Sequence, residues 1–199
     1  DTLIVYSSDN GSFRSDRVGV LRGKKGSNYD GGLRVPGIFC WPAKIKSGIE
    51  IEEPAGLVDL MATICDFVGY KMPEEIHLDG SSLQPLLTGA PKNFKRLQPF
   101  FWHFAESKQI VGIRDGNYSL LAYPDYEFSK GEKFNEAWIP TIKEGGYRDF
   151  ELYDLDNDPM QKDDLAKQRP ELLLSLKNKL LKINASVMAE GSDWHLDSL

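Results

Sequence analysis

Residues 21–36, with the sequence LRGKKGSNYDGGLRVP, are the most informative stretch of this 199-residue chain. They follow closely on Ser8-Asp9-Asn10-Gly11, which ends a short apolar run over residues 3–6. Residues 11–32 are rich in Gly, Ser, Arg and Lys and have neither a helical nor a strand period, which predicts a long loop. A loop of this length inside a compact domain usually carries function.

Composition and charge limit the classes of protein to which the chain can belong. Hydrophobic residues make up 41% of the sequence and aromatic residues 11%, which indicates a folded globular protein. The formal net charge is −6, and an acidic balance argues against nucleic acid as a partner, because binding to its backbone needs clustered Lys and Arg. No apolar run approaches the roughly 20 residues of a membrane-spanning helix, so we expect no membrane span.

The first half of the chain reads as part of an α/β domain. The continuous apolar run at residues 3–6 predicts a strand that is covered on both faces, and residues 35–41 predict a second strand. Apolar side chains at helical spacing over residues 55–68, followed by Gly69, predict a helix. Residues 70–98 are interrupted by Pro and Gly and predict a connection with one helical turn near residues 82–87.

The second half predicts a small antiparallel sheet with one packing helix. Strand patterns occur at residues 100–104, 110–113, 118–123 and 150–155, and a helical apolar face follows Pro170. Asp115-Gly116 predicts a type I′ hairpin between two of these strands. We therefore expect two domains: residues 1–98, the end of a larger α/β domain, and residues 99–199, a small α+β domain.

The beginning of the chain points to a longer protein. A strand that reads as central starts at the second residue, with no start methionine and no targeting segment before it. We therefore expect a preceding part of the same fold that this chain does not contain.

Two short segments carry residue types suited to ligand chemistry. Asp9 and Asn10 directly follow a strand and offer the hard oxygen donors that Ca²⁺ or Mg²⁺ prefers, although an Asx turn explains the same residues without a ligand. A lysine between glycines, at residues 23–26, can reach an oxyanion while the backbone approaches closely, although a solvated basic loop is the plainer interpretation. The phosphate-binding G-x-x-x-x-G-K-[ST] pattern is absent.

Taken together, these segments resemble the type I, formylglycine-dependent sulfatases of the alkaline-phosphatase-like superfamily. The resemblance rests on S-D-N-G after an apolar strand and on L-R-G-x-K-G-x-x-x-[ED]-G-G-x-R-V-P before a strand that ends in W-P. Further matches follow in order along the chain: VDLMAT at 58–63, LDGSSLQPLL at 78–87, ELYDL at 151–155, Asp158-Pro159 and Asp164-Leu165-Ala166. The resemblance implies the end of an alkaline-phosphatase-like α/β sandwich domain followed by a small α+β domain.

The same resemblance implies roles for individual residues. Asp9 and Asn10 would be two ligands of a Ca²⁺ ion, with Mg²⁺ the less expected metal, and Lys25 would hold the sulfate ester. Lys24, its neighbour, would be solvated. His103 lies on a strand that borders the substrate cleft in some relatives, so it is a substrate-binding candidate beside a plain structural role.

The family's nucleophile motif, C/S-x-P-x-R, is missing from this chain. Cys40-Trp41-Pro42-Ala43-Lys44 imitates it but has Lys where Arg is required, and we interpret Cys40 as a small buried apolar residue. We expect the formylglycine and the remaining site residues in the preceding part, and hence no catalytic residue here and no activity from the chain alone. The resemblance also implies a periplasmic, secreted or lysosomal protein.

The sequence leaves three hypotheses open for the function of the whole protein. The first is a sulfatase that acts on a sulfated glycan or another sulfated small molecule such as an aryl sulfate. The second is a phosphodiester or phosphonate monoester hydrolase of the same superfamily, and the third is a non-catalytic binding module that keeps the fold. Aromatic segments at residues 100–104 and 123–128 could stack on sugar rings or belong to the core.

Overall fold

The computed structural model describes residues 1–128 and 135–192 and has a mixed α/β architecture. Its strands and helices follow along the chain as β1 (Ile4–Ser7), α1 (Asp30–Leu33), β2 (Gly37–Cys40), α2 (Leu60–Val68), α3 (Gln84–Leu87), β3 (Phe100–His103), β4 (Val111–Asp115), β5 (Tyr118–Pro124), α4 (Ile139–Glu144), β6 (Tyr147–Asp154) and α5 (Pro170–Glu190). Most of the elements expected from the sequence are present. No helix in the described ranges is both long and apolar enough to cross a membrane.

The chain forms two compact units that do not coincide with a single cut in the sequence. The first contains Asp1–Asp9 and Val35–Phe100, and the second contains Asn10–Arg34 and the chain from Phe101 onward. The expected boundary at residue 98 lies close to Phe100, after which the chain passes from the first unit to the second for the last time. Residues 10–34, which we expected to belong with the first domain, group instead with the second unit.

The first unit is built on a two-stranded antiparallel sheet in which Tyr6 lies opposite Ile38 and Ile4 lies opposite Cys40. The expectation of a strand covered on both faces is wrong for this chain, since the side chains of Ile4 and Tyr6 are 59% and 60% exposed. Cys40 is exposed as well, which corrects its assignment as a buried residue. The reason is that the described chain covers only the other face of the sheet, where Leu3 and Phe39 pack on a core around Phe67.

Helix α2 has the expected end, but it begins at Leu60, later than the expected residue 55, because a 3₁₀ turn over Leu57–Asp59 precedes it. Gly69 takes a left-handed conformation, φ 69°, and its N–H caps the helix by bonding to the carbonyl oxygen of Asp66. One side of the helix is buried, and Cys65 lies there. The opposite side is apolar and exposed, through Leu57 in the preceding turn and Met61, Ile64 and Val68 in the helix.

A buried carboxylate joins α2 to the segment before α3. Asp59 is fully buried, and its oxygens accept hydrogen bonds from the backbone N–H of Gly56 at 2.9 Å and of Ser81 at 2.8 Å. The guanidinium of Arg96 adds two more, both at 3.0 Å. Gly80 is required beside it, because a Cβ there would lie 2.0 Å from the carbonyl oxygen of Val58. Two of the sequence matches, VDLMAT and LDGSSLQPLL, therefore pack against each other.

The second unit has a four-stranded antiparallel sheet in the order β3-β4-β5-β6. The β4–β5 hairpin is confirmed, but its turn is different, because Asp115 pairs with Tyr118 and Gly116-Asn117 form the loop. Of these two loop residues only Gly116 has a positive φ, 57°, which is the pattern of a type II′ turn. Helix α4 was not foreseen in the sequence.

The two faces of this sheet are covered by different parts of the chain. One face carries Ile113, Leu120 and Leu152, which form the main core with Leu176 and Leu180 of α5. The residues that alternate with these along the same strands point to the other face. They are Gly112, Arg114, Ser119, Leu121, Tyr123, Glu151 and Tyr153. Residues 22–30 lie on this second face, which explains why they group with the second unit.

The Asp59 site predicts a large loss of stability on substitution. Asp59→Ala leaves the largely buried Arg96 guanidinium without its carboxylate and two backbone N–H groups without their acceptor, and we expect a cost of about 3–5 kcal/mol in the free energy of unfolding of the first unit. Hydrogen exchange of the α2 amides measures this loss of stability. Asp66→Ala, at an exposed position on the same helix, is the control and should cost less than about 0.5 kcal/mol; equal losses in both variants would contradict this account.

Candidate functional site

The lysine loop, which we define as residues 22–32, is closed by backbone hydrogen bonds. The N–H of Gly31 bonds to the carbonyl oxygen of Arg22 at 2.7 Å, which brings the two ends of the loop together. The N–H of Lys25 bonds to the carbonyl oxygen of Ser12 at 2.9 Å, and that of Gly11 bonds to Gly32 at 2.8 Å. The segment that directly follows Asn10 is therefore held against the lysine loop.

Glycine is required in this loop for two separate reasons. The backbone of Gly31 packs directly against the backbone of Arg22 and Gly23. A Cβ at Gly31 would lie 2.5 Å from the carbonyl oxygens of both residues, so only glycine fits. Gly26 has φ +91°, a conformation that side chains with a Cβ rarely adopt. The Gly-rich composition thus reflects a tightly folded loop, and not an unstructured linker.

Asp9 and Asn10 lie in a bend immediately after β1. The side chain of Asp9 is exposed, and the hydroxyl of Ser8 lies 3.4 Å from its Oδ1. A carboxylate and an amide carbonyl are donors that a hard cation such as Ca²⁺ prefers, so the residue types fit the expected metal. Within residues 1–128 and 135–192, no cluster of three or more His, Cys, Asp and Glu side chains could hold a metal by itself.

Lys25 and His103 belong to segments that meet in the second unit. Lys24 and Lys25 are both exposed at the tip of the lysine loop. The ring of Phe104, the residue after His103, lies 3.8 Å from the position that a Cβ on Gly26 would take. The structure thus brings the end of β3 against the loop tip beside Lys25.

The surroundings of His103 bear on its role. Burial lowers the pKa of its imidazole, so the ring is neutral at pH 7. Its Nε2 is buried, and no hydrogen-bond partner for it occurs among the described residues. Alternation along β3 puts His103 on the same side as Phe101, which packs against the core of the unit. A substrate-binding role for His103 stays a prediction.

Beneath the lysine loop, one carboxylate accepts hydrogen bonds from three tyrosine hydroxyls. Glu151 of β6 accepts hydrogen bonds from Tyr29 at 2.7 Å, from Tyr123 at 2.7 Å and from Tyr153 at 3.0 Å. Tyr29 belongs to the loop, whereas the other two belong to the sheet. Burial raises the pKa of Tyr29 and of Tyr153, and the negative charge of Glu151 raises both further, so the hydroxyls keep the protons that they donate.

The same hydroxyls also accept hydrogen bonds, which completes the network. The Nε2 of Gln109 donates to the hydroxyls of Tyr29 and Tyr123. The Nη1 of Arg22 donates to the hydroxyl of Tyr153 at 2.9 Å, and its guanidinium lies 4.0 Å from the centre of the Tyr29 ring. Every tyrosine of the network therefore has both a donor and an acceptor partner.

Gln161 also holds the lysine loop in place, through hydrogen bonds near both of its ends. It is fully buried and, among the described residues, it is the one non-glycine with a positive φ, 52°. Its carbonyl oxygen accepts from Arg22 Nη1 at 2.7 Å, and its Oε1 accepts from the N–H of Asp30 at 2.8 Å. A left-handed conformation in a glutamine is unfavourable, and these contacts on both ends of the loop offset its cost.

Asp30 and Asn28 also hold the loop on the sheet. Asp30 Oδ2 lies 3.9 Å from Arg114 Nη1, and burial raises the pKa of this carboxyl while Arg114 opposes the rise. Asn28 Nδ2 donates to the carbonyl oxygen of Gln109 at 2.6 Å. The positions that are buried in the loop thus serve its attachment, and the exposed lysines are carried on top.

No sequence pattern led us to expect this network, although one signal was present. Glu151 and Tyr153 are two residues apart in a predicted strand, so they share a face, and the ELYDL match contains both. An acidic turn follows this strand, and Asp158 Oδ2 accepts hydrogen bonds there from the N–H groups of Lys162 and Asp163. Gln109 and Gln161 have no sequence signal, because an isolated Gln is ordinary at the surface.

The aromatic segment at residues 123–128 divides between core and rim. Tyr126 packs against the main core of the second unit, and Phe128 stacks on Trp138 with ring centres 4.0 Å apart. Stacking on a sugar by this segment stays a prediction.

Comparison with known proteins identifies the family. Residues 24–135 match the family model described as N-sulphoglucosamine sulphohydrolase, C-terminal, which covers more than half of the chain. The chain belongs to the sulfatase family and corresponds to a C-terminal portion of its members.

Individual relatives agree with this assignment. Human arylsulfatase A is 31% identical over 193 residues, a match that covers 92% of this chain and 38% of the relative. The crystal structure of Ps i-CgsB in complex with k-i-k-neocarrahexaose is similar with a TM-score of 0.69 and 27% identity, over 92% of this chain and 36% of that one. The phosphonate monoester hydrolase of Agrobacterium radiobacter is similar with a TM-score of 0.61 and 25% identity, over 94% and 35%.

The chain spans only part of these relatives. The first curated relatives that it matches are covered over 18% to 41% of their length. The solved structures establish the fold as alkaline-phosphatase-like, with the small antiparallel sheet and terminal helix that the sequence predicted.

The tyrosine network predicts a loss of stability in alkaline solution. The pKa of Tyr29 is raised above its ordinary value of 10.0 in the folded chain, so above pH 10 the unfolded chain loses a proton that the folded chain retains. The free energy of unfolding should therefore fall as the pH rises through this range. Denaturant titrations from pH 9 upward should show a less steep fall in Tyr29→Phe than in the unsubstituted chain. The same pH dependence in both would contradict the assignment.

Proposed function

We propose that this chain is the C-terminal portion of a sulfatase that hydrolyses sulfate esters, and that it supplies part of the metal and sulfate site. The observation that carries the proposal is the lysine loop, which presents Lys25 on a rigid backbone joined to the segment directly after Asn10. The family membership supports the reaction class. Ps i-CgsB forms a complex with a neocarrahexaose, and a sulfated glycan is accordingly the substrate class we propose, with an aryl sulfate as the model substrate.

The proposed role of Lys25 in substrate binding follows from its charge and its position. Its ammonium group is proposed to bind an oxygen of the sulfate group, with which it forms a charge-assisted hydrogen bond. Because the backbone of Lys25 is fixed at Ser12 and by the closed loop, the attachment point of its side chain is in place before the substrate binds. A pre-positioned cation stabilises negative charge that grows on the leaving oxygen and the sulfate group during hydrolysis.

Asp9 and Asn10 are the proposed cation ligands of this chain, with Ca²⁺ the expected metal. When bound, such a cation supplies Lewis-acid stabilisation of the sulfate oxygens. The two residues contribute one carboxylate and one amide oxygen, whereas Ca²⁺ takes about six to eight oxygen ligands. The remaining ligands, and the formylglycine nucleophile, are proposed to come from a preceding part of the protein, so this chain alone should not turn over sulfate esters.

The open apolar surfaces of the first unit support such a preceding part. The exposed face of the β1–β2 sheet and the exposed side of α2 are both apolar, and proteins seldom leave such surfaces in water. Our proposal is that the rest of an alkaline-phosphatase-like domain covers them. A sulfatase of this kind would act in the periplasm, in a lysosome or outside the cell.

One alternative function has a specific observation in its favour. The phosphonate monoester hydrolase of Agrobacterium radiobacter shares the fold over 94% of this chain, which supports a phosphonate monoester, or a phosphodiester of the same superfamily, as the alternative substrate. A non-catalytic binding module of the same fold is the other alternative. It would bind the same anion without turnover.

A comparison of two adjacent lysines in the full-length protein tests the proposed function. Lys25→Ala should lower kcat/KM for an aryl sulfate by about a hundredfold, as expected when one charge-stabilising donor is lost. Lys24→Ala, which removes the same charge one residue earlier in the exposed loop, should leave kcat/KM within about threefold.

The outcomes of this comparison separate the three functions. Faster turnover of an aryl phosphate or phenyl phosphonate than of the aryl sulfate would favour the phosphonate monoester hydrolase. No turnover of any ester would favour the binding module. Equal losses in Lys24→Ala and Lys25→Ala would remove Lys25 from the site, and sulfate-ester turnover by the 199-residue chain alone would contradict its expected inactivity.

A further inference from the structure

We propose that Glu151 is a positioning residue for the sulfate site, because it fixes both ends of the segment that carries Lys25. The inference rests on the proposed function of Lys25 and extends it to a residue on the far side of the loop. Glu151 itself lies on the sheet, beneath the loop, and acts through three tyrosine hydroxyls.

The geometry of the segment shows how one carboxylate reaches both of its ends. Arg22 stands three residues before Lys25, and Tyr29 stands four residues after it. Tyr29 donates directly to Glu151 Oε2 at 2.7 Å. Arg22 reaches the same oxygen through Tyr153, which accepts from Arg22 at 2.9 Å and donates to Oε2 at 3.0 Å. The two ends also touch each other, since the Arg22 guanidinium lies over the Tyr29 ring.

The carboxylate of Glu151 sets the direction of the hydrogen bonds that the three tyrosines make. A carboxylate can only accept, so the three hydroxyls must point their protons towards Glu151 and present their lone pairs to Gln109 and Arg22. A neutral amide in place of the carboxylate would offer one acceptor and one donor group. At least one tyrosine would then have to turn its proton away and would lose the hydrogen bond that it donates to residue 151, which weakens the network that holds the loop.

The position of the network makes its effect local. Leu152, the neighbour of Glu151 in β6, faces the opposite side and packs into the core with α5. Glu151 is therefore on the face that the loop covers, with the main core of the unit behind it. Loss of its hydrogen bonds should release the loop before it affects the sheet.

Hydrogen exchange of the full-length protein tests the structural half of this inference. In Glu151→Gln and in Tyr29→Phe, amide exchange within residues 22–32 should become about tenfold faster, as expected when a buried hydrogen-bonding group loses its partner. Exchange of the β4 and β5 amides should stay unchanged. Tyr29→Phe removes a single oxygen atom and serves as the second variant if Glu151→Gln does not fold.

Tyr147→Phe is the matched control. It also removes a tyrosine hydroxyl with a hydrogen bond of 2.9 Å, but that bond joins the β6 strand to Asn184 of α5, away from the loop. Exchange within residues 22–32 should be the same in Tyr147→Phe as in the unsubstituted chain. Unchanged loop exchange in Glu151→Gln and Tyr29→Phe, or an equal change in Tyr147→Phe, would overturn the inference.

A double-mutant cycle in the full-length protein tests the functional half. If Glu151 acts through Lys25, Glu151→Gln should lower kcat/KM for an aryl sulfate about tenfold in the presence of Lys25. In a Lys25→Ala background the same substitution should have no further effect. Additive losses would show that Glu151 does not act through Lys25 and would overturn the inference. Absence of any turnover would instead refute the proposed function, and the exchange measurement would still decide whether Glu151 fixes the loop.

Discussion

The attachment of the lysine loop to the second unit depends on the hydrogen bonds that the carboxylate of Glu151 accepts from three tyrosine hydroxyls. This interaction attaches the lysine loop to a face of the sheet that would otherwise be open. Gln161 reinforces the attachment from the turn after β6, at the cost of a left-handed backbone. As a result the exposed lysines at the loop tip stand on a backbone that is fixed from below and closed on itself.

Much of the fold follows from local patterns in the sequence. The hairpin, α2 with its glycine end and α5 after Pro170 all depend on contacts between residues near in sequence, and they are present where expected. Strand β5 gives a further indication of the fold. Its buried residues follow one another without a break, so other parts of the chain must pack on both of its faces. Helix α5 supplies one cover, but nothing in the run itself says that residues 22–30 supply the other.

Apart from the type of the β4–β5 turn, the expectations that failed depended on partners far away in sequence. The run at residues 3–6 has the composition of a fully covered strand, yet the described chain covers it on one side only. The candidate site divides in the same way. Asp9, Asn10 and Lys25 were found through a resemblance to sulfatases, whereas Gln109 and Gln161 acquire meaning only when the fold brings them against the loop, 80 and 131 residues from the residues they contact.

The central claim is that this chain completes a sulfatase site whose nucleophile lies elsewhere in the same protein. Peptide mass spectrometry of the full-length protein, purified from its source, tests this claim most directly. We predict a peptide in which the Cys or Ser of a C/S-x-P-x-R sequence has been converted to formylglycine. A full-length protein with no such sequence, or with that residue unconverted in an active preparation, would contradict the claim.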